Sequence, residues 1–247
     1  MKKFKDNLIL FIAPTLFGLL ILYIYQVRGP HYIQIPQDLA YQNIFNALNI
    51  IEGKSPGMLL YPAITLNYLF ILIIKISSLF NNESVVDFSL NNIEFLCKIF
   101  SYISILLLLS AIFFQSYIYK KKIFPVYLII FFQGLFFFVQ PPNLFLNLFI
   151  SAEAILLILG IILLSTIKIF EENYNLKFTI VSSIICSLAI LTKLTALPFI
   201  LLPILLIKNF KFKIYFFICL LLFSIIFTFI VILIFNNSNY IYEIIRG

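Results

Sequence analysis

Apolar runs at 8–25, 58–80, 95–119, 123–139, 154–169, 178–191, 194–207 and 214–235 fill most of this chain, and the short connectors between them carry most of its lysines. Most of these runs can cross the bilayer's hydrocarbon core, about 30 Å thick. Inside that core every backbone N–H and C=O must be bonded within the protein, so helix is the expected form. Composition agrees, with 63% hydrophobic and 11% charged residues, where soluble domains carry about 25% charged residues. The expected fold class is therefore all-α, a polytopic transmembrane helical bundle that makes one domain over 1–247. A net charge of +7 would point to nucleic acid in a soluble protein. Here the lysines cluster at the ends of apolar runs, where they mark topology, and no nucleic-acid partner is implied. Cys97, Cys186 and Cys219 lie inside apolar runs without a CxxC or histidine neighbour, so they read as small buried hydrophobes and no disulfide framework follows.

Charge decides how the runs are threaded. Lys2, Lys3 and Lys5 precede the first run, and no small-residue cleavage site follows it, so 8–25 reads as a retained first span entering from the cytoplasm. If every run crossed, Lys120 to Lys122, Lys168 with Lys177, and Lys208, Lys211 and Lys213 would face outward, against the rule that basic loops stay inside. If 58–80 lies in the outer interface or re-enters, all these clusters join the N-terminus in the cytoplasm. The loop 81–94, with Glu83, Asp87 and Glu94 and no basic residue, then faces out. About seven spans are expected on this reading, with interfacial juxtamembrane helices at 37–53 and 58–80 in the first outer loop. Tyr61, Pro62, Asn67 and Lys75 suit an interfacial 58–80.

The first outer loop also holds the chain's unusual chemistry. Segment 29–67 is polar and acid-bearing, with Asp38, Glu52 and the single histidine, His31, and Arg28 lies just upstream. Ionisable groups are costly near lipid and are rarely kept there without a task. Pro36 and the Gln37-Asp38 pair suit a helix start, and Gly53 with Pro56-Gly57 suits a stop. Between them Ile44, Ala47, Leu48 and Ile51 share one helical face, while Asp38, Gln42, Phe45 and Asn49 share another. This is the pattern of an amphipathic helix lying on the membrane.

These residues resemble a family. Asp38 and Tyr41, the Asn46-Ala47-Leu48-Asn49 helix, the Gly53 and Pro56-Gly57 turn and Tyr61-Pro62 are similar to the first outer loop of the GT-C superfamily of lipid-linked glycosyltransferases. Glu153 near the outer start of a span, and the Leu191-Thr192-Lys193 to Leu197-Pro198 turn, agree with it. The chain has Gln37 before a single Asp38 where many members have an acidic pair, and Tyr61-Pro62-Ala63 where many have His-Pro-Gly. The resemblance implies a site on the outward face of a bacterial cytoplasmic membrane, a juxtamembrane helix over 58–80, and a polyprenyl-phosphate-linked sugar as donor. Members are usually longer, so a truncated or split relative, and a partner membrane subunit that supplies further spans, are further expectations.

Sugar transfer from a polyprenyl phosphate needs a base for the acceptor hydroxyl and a cationic partner for the departing phosphate. Asp38 is the candidate base. Glu153 is a second acid that either orients the acceptor or shares a divalent cation, magnesium or manganese, with Asp38 through oxygen ligands. Lys193 is the candidate phosphate contact, with Arg28 and His31 as supplements, and Tyr41 and Tyr61 complete the substrate-binding set. Structural rivals exist for each: a helix cap for Asp38, a solvated span end for Glu153, a snorkelling lysine for Lys193, and interfacial anchors for His31 and Arg28. Pro141-Pro142-Asn143 reads as a helix break.

No Walker A loop, GxGxxG, HExxH or zinc spacing occurs, which removes support for a nucleotide-driven pump or a zincin. The alternative of another class is a non-enzymatic polytopic protein, either a translocator of lipid-linked saccharides or an accessory subunit. The enzyme concentrates its polar groups at one membrane face, whereas a translocator distributes them through the depth. A topology reporter fused after Lys122 or Lys213 is expected to read cytoplasm, and one fused after Asn82 the outer side. An outer-side signal at Lys122 would contradict the seven-span threading.

Overall fold

A computed structural model describes residues 2–28, 38–54, 64–79, 83–122 and 151–235, together with 125, 128–129 and 133. Among the described residues the chain is helical and contains no strand. In order, the helices are α1 (Lys2–Arg28), α2 (Asp38–Ile51), α3 (Ile64–Ser78), α4 (Val85–Asn91), α5 (Ile93–Lys122), α6 (Ala152–Ile169), α7 (Leu176–Thr192), a 3₁₀ turn (Leu194–Ala196), α8 (Pro198–Leu206) and α9 (Phe210–Phe235). Among the described residues, three stretches are long and apolar enough to cross a membrane: Ile93–Lys120, Ala152–Ile169 and Phe210–Ile230. The helices at Ile64–Ser78 and Leu176–Thr192 are apolar but shorter. Most of the expected span 123–139, the 141–143 break, His31 and Tyr61 lie outside the described residues, as do the side chains of Arg28 and Asp38.

The long helices generally begin or end up to a turn or two beyond their apolar runs, because charged residues that lie outside the hydrocarbon are still good helix formers. Two segments depart from expectation. The acidic loop before α5 folds in part as α4, capped by Ser84, whose hydroxyl oxygen accepts from the Asp87 amide at 3.1 Å, as serine caps commonly do. The run 194–207 is a 3₁₀ turn followed by the nine-residue α8. Lys193 is extended there, and Pro198, without an N–H, starts a new helix at its first turn.

Side-chain contacts fix the directions of the helices. Phe11 stacks on Phe113 with centroids 3.6 Å apart, and Gly18 lies so close to α5 that a Cβ there would meet Leu109 Cδ1 at 2.8 Å. Ascending numbers in α1 thus meet descending numbers in α5, so the two are antiparallel, and Lys2, Lys3 and Lys5 share an end with Lys120, Lys121 and Lys122. Gln133 Nε2 strengthens this contact by donating to Ser116 Oγ at 2.7 Å and to the Leu10 carbonyl at 3.4 Å. Leu96, Phe100 and Ala152 belong to one apolar cluster and Leu108, Ala111 and Ile161 to another; Phe70 on Phe100, with Thr65 on the Leu188 carbonyl, brings the first half of α5 to the C-terminal end of α7, so α5 runs parallel to α6, the antiparallel neighbour of α7. The α6 and α7 pair is antiparallel. Lys193 meets Glu153 at one end, and Phe170 packs on Phe178 at the other, with centroids 5.9 Å apart. Ser187 and Ser224 share a hydroxyl hydrogen bond of 2.8 Å between α7 and α9. Small buried Ser182, Ser183, Ser187 and Ala189 let neighbouring helices approach α7 closely.

The helix-end lysines of α1, α5, α6 and α7 therefore gather at one end of the bundle, here called the lysine end. Because α1 and α5 are antiparallel, the chain between them returns to the end it left. Within that stretch, α3 is wedged against α2, α4, α5, α7 and α9. Its 15 residues span only about 22 Å. Phe70 at its centre is 1% exposed and stacks on Phe100, with centroids 4.1 Å apart.

The amphipathic reading of α2 is visible in its burial: Ile44, Ala47 and Leu48 are buried, Ile51 is half-buried, and Phe45 is exposed. Burial extends further than the apolar face, to Asn43 and Asn46, so this helix is inserted between neighbours on a wide arc. It ends as expected at Gly53, whose φ of 73° is the left-handed geometry that glycine adopts without strain. There the Lys54 amide donates to the Asn49 carbonyl at 2.7 Å and the Gly53 amide to the Ile50 carbonyl at 3.1 Å, a Schellman closure. Cys97 and Cys186 are buried and Cys219 is half-buried.

The wedge makes Phe70 a central packing residue, whereas Phe217 on α9 is 50% exposed. Phe70→Ala is expected to destabilise the protein by about 3–5 kcal/mol in reversible unfolding from mixed micelles, and Phe217→Ala by less than about 0.5 kcal/mol. Equal losses would contradict the central place of α3.

Candidate functional site

The end opposite the lysines is built by the N-termini of α5 and α6 and the C-terminus of α7. Glu153 sits in the first turn of α6, where the helix dipole favours negative charge. Ser151, buried at the N-cap position, makes no side-chain cap bond to the helix backbone; its hydroxyl hydrogen-bonds the Glu153 carboxylate instead. Lys193 closes α7: its backbone amide donates to the Ala189 carbonyl at 3.0 Å, and its φ of −161° turns the chain into extended form. From that corner the ammonium donates to Glu153 Oε1. The pair joins residues 40 apart and leaves Lys193 28% and Glu153 47% exposed at the side chain, so both groups remain open to a ligand.

Next to this pair, α3 is tied to the same end of α7. The Leu188 carbonyl accepts from Thr65 Oγ1 at 3.1 Å and from Thr192 Oγ1 at 2.7 Å. Because α2 packs on α3 and α5, the helix that begins with Asp38 is built into this assembly. Its second contact is a hydrogen bond from the Tyr41 phenol to the Glu94 carboxylate, in the first turn of α5.

Of the residues expected from sequence, the structure thus pairs Glu153 with Lys193 and engages Tyr41 with an acid. Asp38 starts α2. Its carboxylate, the Arg28 side chain, His31 and Tyr61 lie outside the described residues. The structure also engages Glu94, which from sequence belongs only to an acidic outer loop. The available signal was its kinship with Glu153: each is an acid in the first turn of a long apolar helix. Among the described residues no group of three or more His, Cys, Asp or Glu side chains gathers as a cation site, and Glu153 already faces an ammonium.

Comparison with protein-family models, with curated proteins and with solved structures returns no match. The chemical reading rests on the residues themselves.

An ion pair as exposed as Glu153–Lys193 contributes little to stability, because water screens it. Glu153→Gln and Lys193→Met are each expected to change unfolding free energy by less than about 1 kcal/mol, measured as above. A loss of several kcal/mol in both would make the pair a structural clamp.

Proposed function

We propose that this chain is an integral-membrane glycosyltransferase of the GT-C type, which moves a sugar from a polyprenyl-phosphate carrier to an acceptor hydroxyl at the outer face of a bacterial cytoplasmic membrane. The lysine end then faces the cytoplasm, the chain crosses about seven times, and α2 to α4 make no net crossing. The antiparallel α1 and α5 support that threading. The observation that carries the functional reading is the Glu153–Lys193 pair. An accessible cation and carboxylate stand together at the non-lysine end, beside the helices that bring Asp38.

In the proposed reaction the acceptor oxygen attacks the anomeric carbon and forms the new C–O bond. The bond from that carbon to the phosphate oxygen breaks, and its electron pair leaves with polyprenyl phosphate. Asp38 takes the acceptor's proton. Lys193 donates hydrogen bonds to the departing phosphate, as an ammonium aimed where negative charge develops, and Arg28 and His31 add to that charge. Glu153 holds Lys193 aimed before the donor binds, then accepts from an acceptor hydroxyl once Lys193 has turned to phosphate. Tyr41 and Tyr61 line the substrate side. These cations neutralise the charge on the departing phosphate.

Asp38→Asn keeps the size and helix-starting ability of the side chain and removes the proton acceptor. Transfer from a polyprenyl-phosphate sugar should fall at least about 100-fold while the amount of protein in the membrane stays unchanged. Wild-type transfer by Asp38→Asn would exclude the base, and no transfer by the unmutated chain would favour the non-enzymatic reading.

A further inference from the structure

Glu94 is one of the acids at the far end that the proposed reaction does not use. Glu94 is half-buried in the first turn of α5 and accepts the phenol hydrogen of Tyr41, a residue 53 positions earlier. The dipole of α5 favours its ionised form, and a hydrogen bond to a carboxylate is about twice as strong as one between neutral groups. At the other end of the bond, Tyr41 stands one turn after Asp38 on α2. We propose that Glu94 is a positioning residue: it latches the first turn of α2 to α5 and so fixes the turn that carries Asp38.

The burial pattern of α2 explains why a latch is needed. From Asn43 onward the helix is held by buried Asn43, Ile44, Asn46, Ala47 and Leu48, and at Gly53 by its Schellman closure. Tyr41 and Gln42 are only half-buried. The first turn of any helix also has amides without intrahelical partners and frays first. A bond from Tyr41 to the rigid start of α5 opposes that fraying at the position where displacement of Asp38 would be most damaging, since a 1 Å error at a reacting group can cost about 100-fold in rate. The catalytic consequence rests on the glycosyltransferase reading, whereas the latch itself does not.

The two parts are tested together by amide exchange and kinetics on the full chain in nanodiscs. In Tyr41→Phe and in Glu94→Ala, the amides of 42–46, whose helical partners are the carbonyls of 38–42, should exchange at least about 10-fold faster. In Glu94→Gln, which can still accept the phenol hydrogen, protection should return. The kcat of Glu94→Ala should fall at least about 10-fold with donor KM little changed, and the kcat of Tyr41→Phe should fall by about as much. The double variant should be no worse than either single one, because both remove the same bond. Unchanged exchange in Tyr41→Phe, additive losses in the double variant, or failure of Glu94→Gln to restore protection would each overturn the latch. Lost protection in a chain that transfers no sugar before mutation would keep the latch and reject the reaction, so the two fail separately.

Discussion

The cost of placing charge in hydrocarbon organises this protein. In the described helices every ionised residue stands within about two turns of a helix end: Glu94, Lys98 and the lysines Lys120 to Lys122 in α5, Glu153 and Lys168 in α6, Lys177 in α7, Lys211 and Lys213 in α9. The apolar middles are left to pack on one another through small residues and stacked rings, such as Phe11 on Phe113 and Phe70 on Phe100. With the middles silent, chemistry can be placed only at the ends. The register of the helices then decides which charged groups meet. Parallel α5 and α6 with antiparallel α7 put the lysine clusters at one end and Glu94, Glu153 and Lys193 at the other.

The short helices convert that segregation into a site. Helix α3 is short and largely buried, and it serves as a wedge that packs on α2 and bonds to α7 through Thr65 and the Leu188 carbonyl. A second polar bond, from Tyr41 to Glu94, ties α2 to α5. The helix that starts at Asp38 is thus braced on one side by packing against α3 and on the other by the Tyr41 hydrogen bond to α5. Stability and placement are separated in this design: Phe70 contributes to the first, while the exposed Glu153–Lys193 pair contributes mainly to the second.

Much of this was legible in the sequence, and what was missed shares a cause. Apolar runs located the long helices, because burial in lipid or core needs continuous hydrophobicity whatever the neighbours are. The stop at Gly53 was legible because a left-handed residue is a local requirement. Glu153 and Lys193 were singled out individually, but their pairing depends on the register of α6 against α7, which periodicity does not encode. Glu94 was hidden among loop acids for the same reason, since its partner lies 53 residues away. The break in the run 194–207 was signalled by Pro198 and masked by uniform apolarity around it. The burial of Asn43 and Asn46 comes from the wedge of α3 and has no local trace.

The central claim is that Asp38, Glu153 and Lys193 serve one site, and cross-linking in native membranes tests it most directly. In a Cys219→Ala background, cysteines at Asp38 and Lys193 would be bridged by a bifunctional thiol reagent of about 10 Å reach, with a Glu153→Cys and Lys193→Cys pair as reference, since base and phosphate contact must approach one substrate within hydrogen-bond distance. A shared site predicts efficient bridging of both pairs. Bridging of the reference pair alone would contradict it.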